Sequence, residues 1–145
     1  MQVEVESVVI EVRGREYKLQ KEMLDLDSVN LGVLNDQIKE IAGYYAYVGT
    51  AYADAVLSLR TAENDYKIWF AGQLSIYSDL KSEKAKDSAI RRDFKTVVCK
   101  HETRINELRY DVDILGVYQK GLEIKYQLSQ TLSANLRAER EKYRN

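Results

Sequence analysis

The stretch that decides the fold is LGVLNDQIKEIAGYYAYVGTAYADAVLSLRTAENDYKIWFAGQLSI, residues Leu31–Ile76. Apolar residues recur along it at alternating intervals of three and four, and only Gln73 interrupts the series. This is the a/d pattern of a heptad repeat, and the stretch contains no proline. It predicts a helix roughly 70 Å long, too long for the core of one small domain. This apolar seam therefore needs a partner helix, from later in the chain or from another copy.

The composition is that of a charged, helix-forming chain without membrane segments. Of its 145 residues, 45% are hydrophobic and 31% are charged, and proline is absent. No apolar run reaches the ~18 residues that a membrane span needs, and the N-terminus lacks a signal-sequence pattern. The single cysteine, Cys99, cannot form an internal disulfide. These features predict an intracellular, cytoplasmic protein that does not interact with a membrane.

The net charge of −1 is unevenly distributed along the chain. Residues 1–27 and residues 28–80 each carry a net charge of −3, whereas residues 81–145 carry +5. The most basic window runs from Lys81 to Lys95. A basic half joined to an acidic half favours nucleic-acid binding. It equally favours head-to-tail self-association, and charge runs between helices are often no more than solvated surface.

The first twenty residues differ from the rest of the chain. A β-branched cluster around Val8-Val9-Ile10 is followed by Arg13-Gly14-Arg15 and then by Glu16-Tyr17-Lys18-Leu19. This pattern predicts two short strands around a glycine-containing turn, so residues 1–20 are expected to form a β-hairpin element. Because an isolated hairpin is marginal in water, it must pack on something or pair with a neighbour. Residues 21–145 are expected to form a single helical domain.

The remaining pattern predicts a helical hairpin. Asp27 or Ser28 is able to accept hydrogen bonds from the first free amides of the long helix. From Ser78 to Asp93 the apolar pattern lapses, which predicts a connection holding a short helix. A second long helix is predicted from about Ala89 to Tyr143. The fold class is therefore mainly α, with two long antiparallel helices and a short N-terminal β-hairpin.

The second long helix carries two apolar stripes. One consists of Phe94, Val97, Val98, His101, Ile105, Leu108, Val112, Leu115 and Leu122. The other, shifted around the helix, consists of Ile114, Tyr118, Leu128, Leu132 and Leu136. Burial on two sides exceeds what one antiparallel pair supplies, so we expect a homo-oligomer formed through the helices. The predicted interface residues are Tyr45, Tyr52, Tyr66, Trp69, Ile114, Tyr118, Leu128 and Leu132.

Some residues of the first helix have two interpretations. Its tyrosines and tryptophan at seam positions are also typical of core packing within the chain. Tyr44, Tyr47 and Phe70 lie beside the seam and either widen an interface or offer stacking faces to single-stranded bases. Gly43 and Gly49 either let another helix approach closely or permit a bend, and the sequence leaves the continuity of the helix open.

Enzymatic motifs are missing from the sequence. It contains no phosphate-binding glycine loop, dinucleotide fingerprint or metalloprotease motif. Cys99 and His101 lie two residues apart, a spacing that points them to different faces of a helix and argues against a catalytic pair or a metal site. His101 fits the apolar stripe and is interpreted as a core or interface histidine. We therefore expect a protein that is not an enzyme and needs no cofactor or metal.

A series of short motifs runs in order over roughly residues 26–136. They are Leu26-Asp27-Ser28-x-x-Leu31, Gly43-Tyr44-Tyr45-Ala46-Tyr47, Leu57-x-Leu59-Arg60-Thr61-Ala62-Glu63-x-x-Tyr66-Lys67, Ile76-Tyr77-Ser78 and Phe94-Lys95-Thr96-Val97. Their order and intervals resemble those of the UvsY-type recombination mediators of tailed phages. Those are small helical proteins that help to load a phage recombinase onto single-stranded DNA.

The resemblance implies a homo-oligomeric ring, commonly a hexamer or heptamer, built largely through the C-terminal helices. It implies single-stranded DNA along the basic faces, with the recombinase and the single-strand-binding protein as partners. Arg60, Lys67 and Lys95 match basic positions of the family and are expected to contact phosphates without base readout. The chain departs from the family in its acidic first helix, which moves the expected DNA surface towards Lys81–Lys95 and the C-terminal tail.

The sequence thus gives two hypotheses of function. The first is a single-stranded DNA-binding, recombination-mediator-like protein of a phage, located in the host cytoplasm. Its predicted DNA contacts are Arg60, Lys67, Lys84, Lys86, Arg91, Arg92 and Lys95. The second hypothesis is a scaffold or adaptor that forms a helical homo-oligomer and is indifferent to DNA, which the unbroken seam and the near-neutral charge favour.

Overall fold

Three helices account for most of the residues that the computed structural model describes, which are 8–12, 15–19, 26, 27 and 29–144. Helix α1 spans Leu31–Ile76, α2 spans Glu83–Asp93 and α3 spans Lys95–Arg144. The prediction of a mainly α protein is confirmed. Helix α1 occupies the whole predicted stretch and runs without a break through both internal glycines, Gly43 and Gly49.

The N-terminal part of the chain contains two short strands. Strand β1, Val8–Val12, pairs antiparallel with β2, Arg15–Leu19, so that Val8 lies opposite Leu19. The turn residues 13 and 14 lie outside the described residues, as do residues 1–7 and 20–25. The assignments of residues 1–20 as a separate β-hairpin element and of residues 21–145 as a single domain therefore stay predictions.

The N-terminal cap of helix α1 lies later in the chain than the sequence predicted. The Asn30 side chain is the cap, since its Oδ1 accepts a hydrogen bond from the Val33 amide at 3.2 Å. Asp27 acts before the helix, where its Oδ1 accepts from the amides of Val29 at 2.9 Å and Asn30 at 2.7 Å. These two hydrogen bonds lower the pKa of the Asp27 carboxyl. The other predicted cap, Ser28, lies outside the described residues.

The predicted start of the second long helix, at about Ala89, is wrong. Ala89 and Ile90 are instead the buried residues of α2, the short helix expected within the connection. Helix α2 starts early because the Ser82 hydroxyl accepts from the Ala85 amide at 3.0 Å and caps it. Phe94 leaves the helical conformation, with φ −117° and ψ 33°, and so separates α2 from α3.

The apolar seam of α1 is buried at every seventh residue. These residues are Leu34, Ile41, Val48, Ala55 and Ala62. The seam of α3 is buried at Val98, Ile105, Leu108, Leu115 and Leu122, which confirms most of the first predicted stripe. Further along, the same heptad positions are taken by two buried polar residues, Ser129 and Ser133. Because both side chains are polar, apolar periodicity did not predict their burial.

Two compact units divide the chain, and each contains part of α1 and part of α3. The aromatic unit is Ala53–Asp113, which includes α2. Its core is Ala62 of α1 against Ile105 and Leu108 of α3. Glu63 pairs with Arg109, whereas the later Tyr66 contacts Glu102, so the two long helices run antiparallel within this unit.

The terminal unit consists of Met1–Tyr52 and Ile114–Asn145. Its helices also run antiparallel, and small and polar residues make contacts beside its buried apolar seam residues, such as Leu34, Ile41 and Leu115. The Ser133 hydroxyl donates to Asn35 Oδ1 at 3.3 Å, and the Tyr52 ring packs against Gly116. At Gly49, a Cβ atom would come within 3.2 Å of the Gln119 side chain, so this glycine permits the close helix approach that the sequence suggested.

Candidate nucleic-acid interface

Three of the seven predicted DNA contacts are engaged by carboxylates. Lys86 pairs with Glu83 at 3.4 Å, and Arg92 pairs with its neighbour Asp93 at 2.9 Å. Arg91 is bound most fully. Its Nε donates to Asp87 at 3.0 Å and its Nη1 donates to Glu102 at 2.8 Å.

The Arg91 pairs join two helices rather than offering a free cation. Asp87 lies one turn before Arg91 on α2, whereas Glu102 lies on α3. The hydrogen bond to Glu102, with that to Asp87, raises the pKa of the Arg91 guanidinium. Two carboxylates already neutralise this guanidinium and fix its orientation, so it has less charge to offer a phosphate. Arg91 is therefore a poorer DNA contact than the sequence suggested.

Arg92 and Asp93 form a surface cluster with Tyr77. The Tyr77 hydroxyl donates to Asp93 Oδ2 at 2.5 Å, which links the residue that follows α1 to the end of α2. Hydrogen bonds from Arg92 and then from Tyr77 lower the pKa of the Asp93 carboxyl. The same bond to Asp93 is the main cause of the raised pKa of Tyr77.

The other four predicted contacts are exposed. They are Arg60, Lys67, Lys84 and Lys95. Among the described residues, none of them lies within ion-pair distance of a carboxylate. Arg60 and Lys67 lie seven residues apart on α1, so they project from nearly the same side of that helix.

Two basic residues that were not among the predicted DNA contacts lie in the same surface depression as Lys95. Lys100 and Arg104 of α3 are exposed, and they line one shallow surface depression together with Lys95. The other lining residues are Thr96, Cys99, Thr103 and Glu107, so a single acid faces three bases. We call Lys95, Lys100 and Arg104 the α3 basic face. The spacing of these three bases does not by itself place them on one side of a helix, so the sequence alone gave no clear signal for this group.

The predicted interface residues of the aromatic unit pack within the chain. Tyr66 stacks on His101 with ring centroids 5.0 Å apart and an interplanar angle of 19°. Trp69 lies 5.5 Å from the His101 ring and meets the Phe94 ring edge-on at 5.7 Å. Burial, followed by the nearby Glu102 charge, raises the pKa of Tyr66. His101 is thus an internal packing residue, and Tyr66 and Trp69 use much of their ring surface inside the unit.

The predicted interface residues of the terminal unit divide into two groups. Tyr45, Tyr52, Ile114, Tyr118 and Leu132 are half-buried within the chain. Leu128 is 59% exposed, and it shares a side of α3 with Val117, which is 73% exposed, and Ile124, which is 51% exposed. Spacings of seven and four place these three on one stripe. We call Val117, Ile124 and Leu128 the exposed stripe.

Metal and membrane features are missing from the part of the chain that the structure describes. It contains no cluster of three or more histidine, cysteine, aspartate or glutamate side chains suited to a metal ion. None of its helices combines the length and the apolar character needed to cross a bilayer. Cys99 is a free, exposed thiol.

Comparison with known proteins adds no relative. No protein family, curated protein or solved structure matches the chain.

Proposed function

We propose that the chain binds single-stranded DNA and acts as a recombination-mediator-like protein, which assists the loading of a phage recombinase. Two observations support the proposal. The first is the ordered series of motifs, from Leu26 to Val97, that resembles the UvsY-type mediators. The second is the α3 basic face, which is exposed and carries more bases than acids.

The α3 basic face is the observation that carries the proposal. Binding to a phosphate backbone gains most of its free energy from the release of counterions by cations that are not already neutralised. Lys95, Lys100 and Arg104 meet this condition, because none of them pairs with a carboxylate among the described residues. Arg91 and Arg92 do not meet it. Arg60, Lys67 and Lys84 are further exposed cations, and none of them pairs with a carboxylate among the described residues.

Self-association strengthens weak DNA contacts in this proposal. Three cations give modest affinity alone, but several copies on one strand bind with a high effective concentration after the first contact. The exposed stripe of α3 offers apolar surface for joining copies. The proposed partners are other copies of the chain, in a hexamer or heptamer, together with a recombinase and a single-strand-binding protein.

A second candidate function is a structural homo-oligomer that does not bind DNA. The exposed stripe favours it, since Val117, Ile124 and Leu128 expose more than half of their surface at heptad positions. Such a face is typical of helix–helix assembly. In this case the cations of α3 serve only solubility.

Fluorescence anisotropy with labelled oligo-dT at low salt separates the two functions. The variant Lys95→Gln/Lys100→Gln/Arg104→Gln removes the α3 basic face, and Arg91→Gln/Arg92→Gln is the control that removes paired cations. The proposal predicts that the triple variant loses at least 10-fold in affinity for oligo-dT. The control is expected to lose less than about 3-fold, no more than the loss of roughly one phosphate contact would cause. A defined oligomer that never retains oligo-dT supports the structural function instead.

A further inference from the structure

A groove lies within the aromatic unit and is lined by all three helices. Its volume is about 740 Å³. Phe70, Ala71 and Leu74 of α1 and Ile105 of α3 give it apolar walls, while its polar lining comes from all three helices. We call it the Phe70 groove. Six of its twelve lining residues are charged, so the groove joins an apolar wall to a charged one.

Phe70 presents an aromatic ring to this groove. The ring is half-buried, and its two ring contacts in the described chain are both edge-on. It meets Tyr66 at 6.0 Å with an interplanar angle of 79°, and Trp69 at 6.3 Å with an angle of 64°. Neither neighbour stacks parallel on Phe70. Aromatic rings prefer offset-stacked or edge-to-face partners. A planar group in the groove can therefore stack on the Phe70 ring, whose other ring contacts are edge-on.

Three bases and three acids line the groove, so its lining carries no net charge. Arg91 binds both Asp87 and Glu102, and Arg109 binds Glu63 at 3.3 Å. The remaining lining charge is Lys67, which is exposed and has no carboxylate within ion-pair distance among the described residues. The groove therefore combines an aromatic wall with one available ammonium group. An aromatic wall beside a cation is the combination that single-strand-binding proteins present to a nucleotide.

We infer that the Phe70 groove takes one base of a bound single strand, which stacks on Phe70 while Lys67 contacts the adjoining phosphate. The inference rests on the proposed function and adds a contact to bases, whereas the α3 basic face contacts phosphates alone. Stacking of this kind tolerates any base, because every base presents a π-face. It therefore adds affinity without sequence preference.

The test compares oligo-dT with an abasic oligonucleotide that has the same length and phosphate count. The inference predicts that the wild-type chain binds oligo-dT about 10-fold more tightly than the abasic strand. Phe70→Leu is expected to lower the oligo-dT affinity to the abasic level and to leave the abasic affinity unchanged. Tyr110→Leu is the matched control, because Tyr110 is an aromatic residue of the same unit that is 66% exposed and outside the groove lining.

A second readout uses 2-aminopurine, whose fluorescence is quenched when it stacks. One 2-aminopurine within an oligo-dT strand is expected to be quenched further on binding to the wild-type chain and not on binding to Phe70→Leu. Circular dichroism at the same temperature shows whether each variant keeps its helices.

The outcomes distinguish this inference from the proposed function. Equal affinity of the wild-type chain for oligo-dT and the abasic strand overturns the stacking site and leaves phosphate binding in place. An equal loss for both strands in Phe70→Leu assigns the residue a purely structural role, which also overturns the site. If the wild-type chain binds neither strand, the proposed function fails and the stacking site fails with it.

Discussion

The aromatic unit and the terminal unit share the same two long helices, yet they join them by different chemistry. In the aromatic unit, the helices meet through stacked rings and cross-helix ion pairs such as Glu63–Arg109. In the terminal unit, the contacts beside the buried apolar seam are made at glycines and by a part-buried Ser133–Asn35 hydrogen bond. Both units expose some large apolar side chains, but the exposed stripe at heptad spacing belongs to the terminal unit. We infer that the aromatic unit binds nucleic acid and that the terminal unit joins copies.

The largest expected effect concerns how the two cores tolerate a cavity. Ile41→Ala is expected to lower the free energy of unfolding by about 3–5 kcal/mol, and Ile105→Ala by about 2–3 kcal/mol. Ile41 is fully buried, whereas Ile105 is 8% exposed and the half-buried Tyr66 packs against its cluster and can relax into the space. Urea denaturation measures both, with the exposed Ile68→Ala as control. Equal losses at the two sites would remove this difference between the units.

The next effect concerns self-association through the exposed stripe. Val117→Glu and Leu128→Glu each place a charge on the surface proposed to join copies, and burying an unpaired carboxylate is costly. Each is expected to weaken self-association by about 100-fold or more, as measured by light scattering over a range of concentrations. Gln130→Glu adds the same charge at an exposed position outside the stripe. If the control and the stripe variants behave alike, another surface joins the copies.

Two glycines of α3 test how closely the two long helices approach each other in the terminal unit. A Cβ at Gly121 meets nothing within 4 Å, so Gly121→Ala is expected to raise the free energy of unfolding by about 0.5–1 kcal/mol through helix propensity. At Gly116 a Cβ would lie 3.3 Å from the Tyr52 ring. Gly116→Ala is therefore expected to lose that gain or to destabilise the chain. Thermal unfolding compares the two variants, and an equal gain at both sites would show that Tyr52 yields without cost.

The smallest effect is a pH dependence at the end of α2 in the aromatic unit. Because the Asp93 pKa is lowered in the folded state, its hydrogen bonds with Arg92 and Tyr77 stabilise the chain at neutral pH. This contribution is lost as the pH falls through the folded pKa of Asp93. Asp93→Asn is expected to lower the Tm slightly at pH 7, and the difference from wild type should shrink in acid. Asp65→Asn, an exposed position of the same unit, is the control, and a difference that persists in acid would contradict the assignment.

The long helix could be predicted from the sequence because its signal is burial, which apolar periodicity records directly. The bounds of α1 coincide with the seam for this reason. Caps are less visible, since Asn30 and Ser82 compete with several neighbouring polar residues, and only backbone geometry selects among them. The burial of Ser129 and Ser133 could not be predicted in this way, because apolar periodicity records only apolar side chains.

The candidate interface was harder to predict for a second physical reason. A basic window in the linear sequence is not a face in space. Arg91 falls within the window, but its partner Glu102 lies eleven residues later on another helix, and no local pattern reveals that pair. Lys100 and Arg104 fall outside the window, yet they line the same surface depression as Lys95. The cations available to a phosphate therefore follow from tertiary contacts.

The most direct test of nucleic-acid binding by the aromatic unit is the salt dependence of oligo-dT affinity. For single strands, each neutralised phosphate contributes about −0.7 to the slope of log K against log salt concentration. The account predicts that Lys95→Gln/Lys100→Gln/Arg104→Gln makes this slope shallower by about 2 relative to wild type, while Arg91→Gln/Arg92→Gln changes it little. A slope that is the same in wild type and the triple variant, or no binding by wild type at any salt concentration, would contradict it.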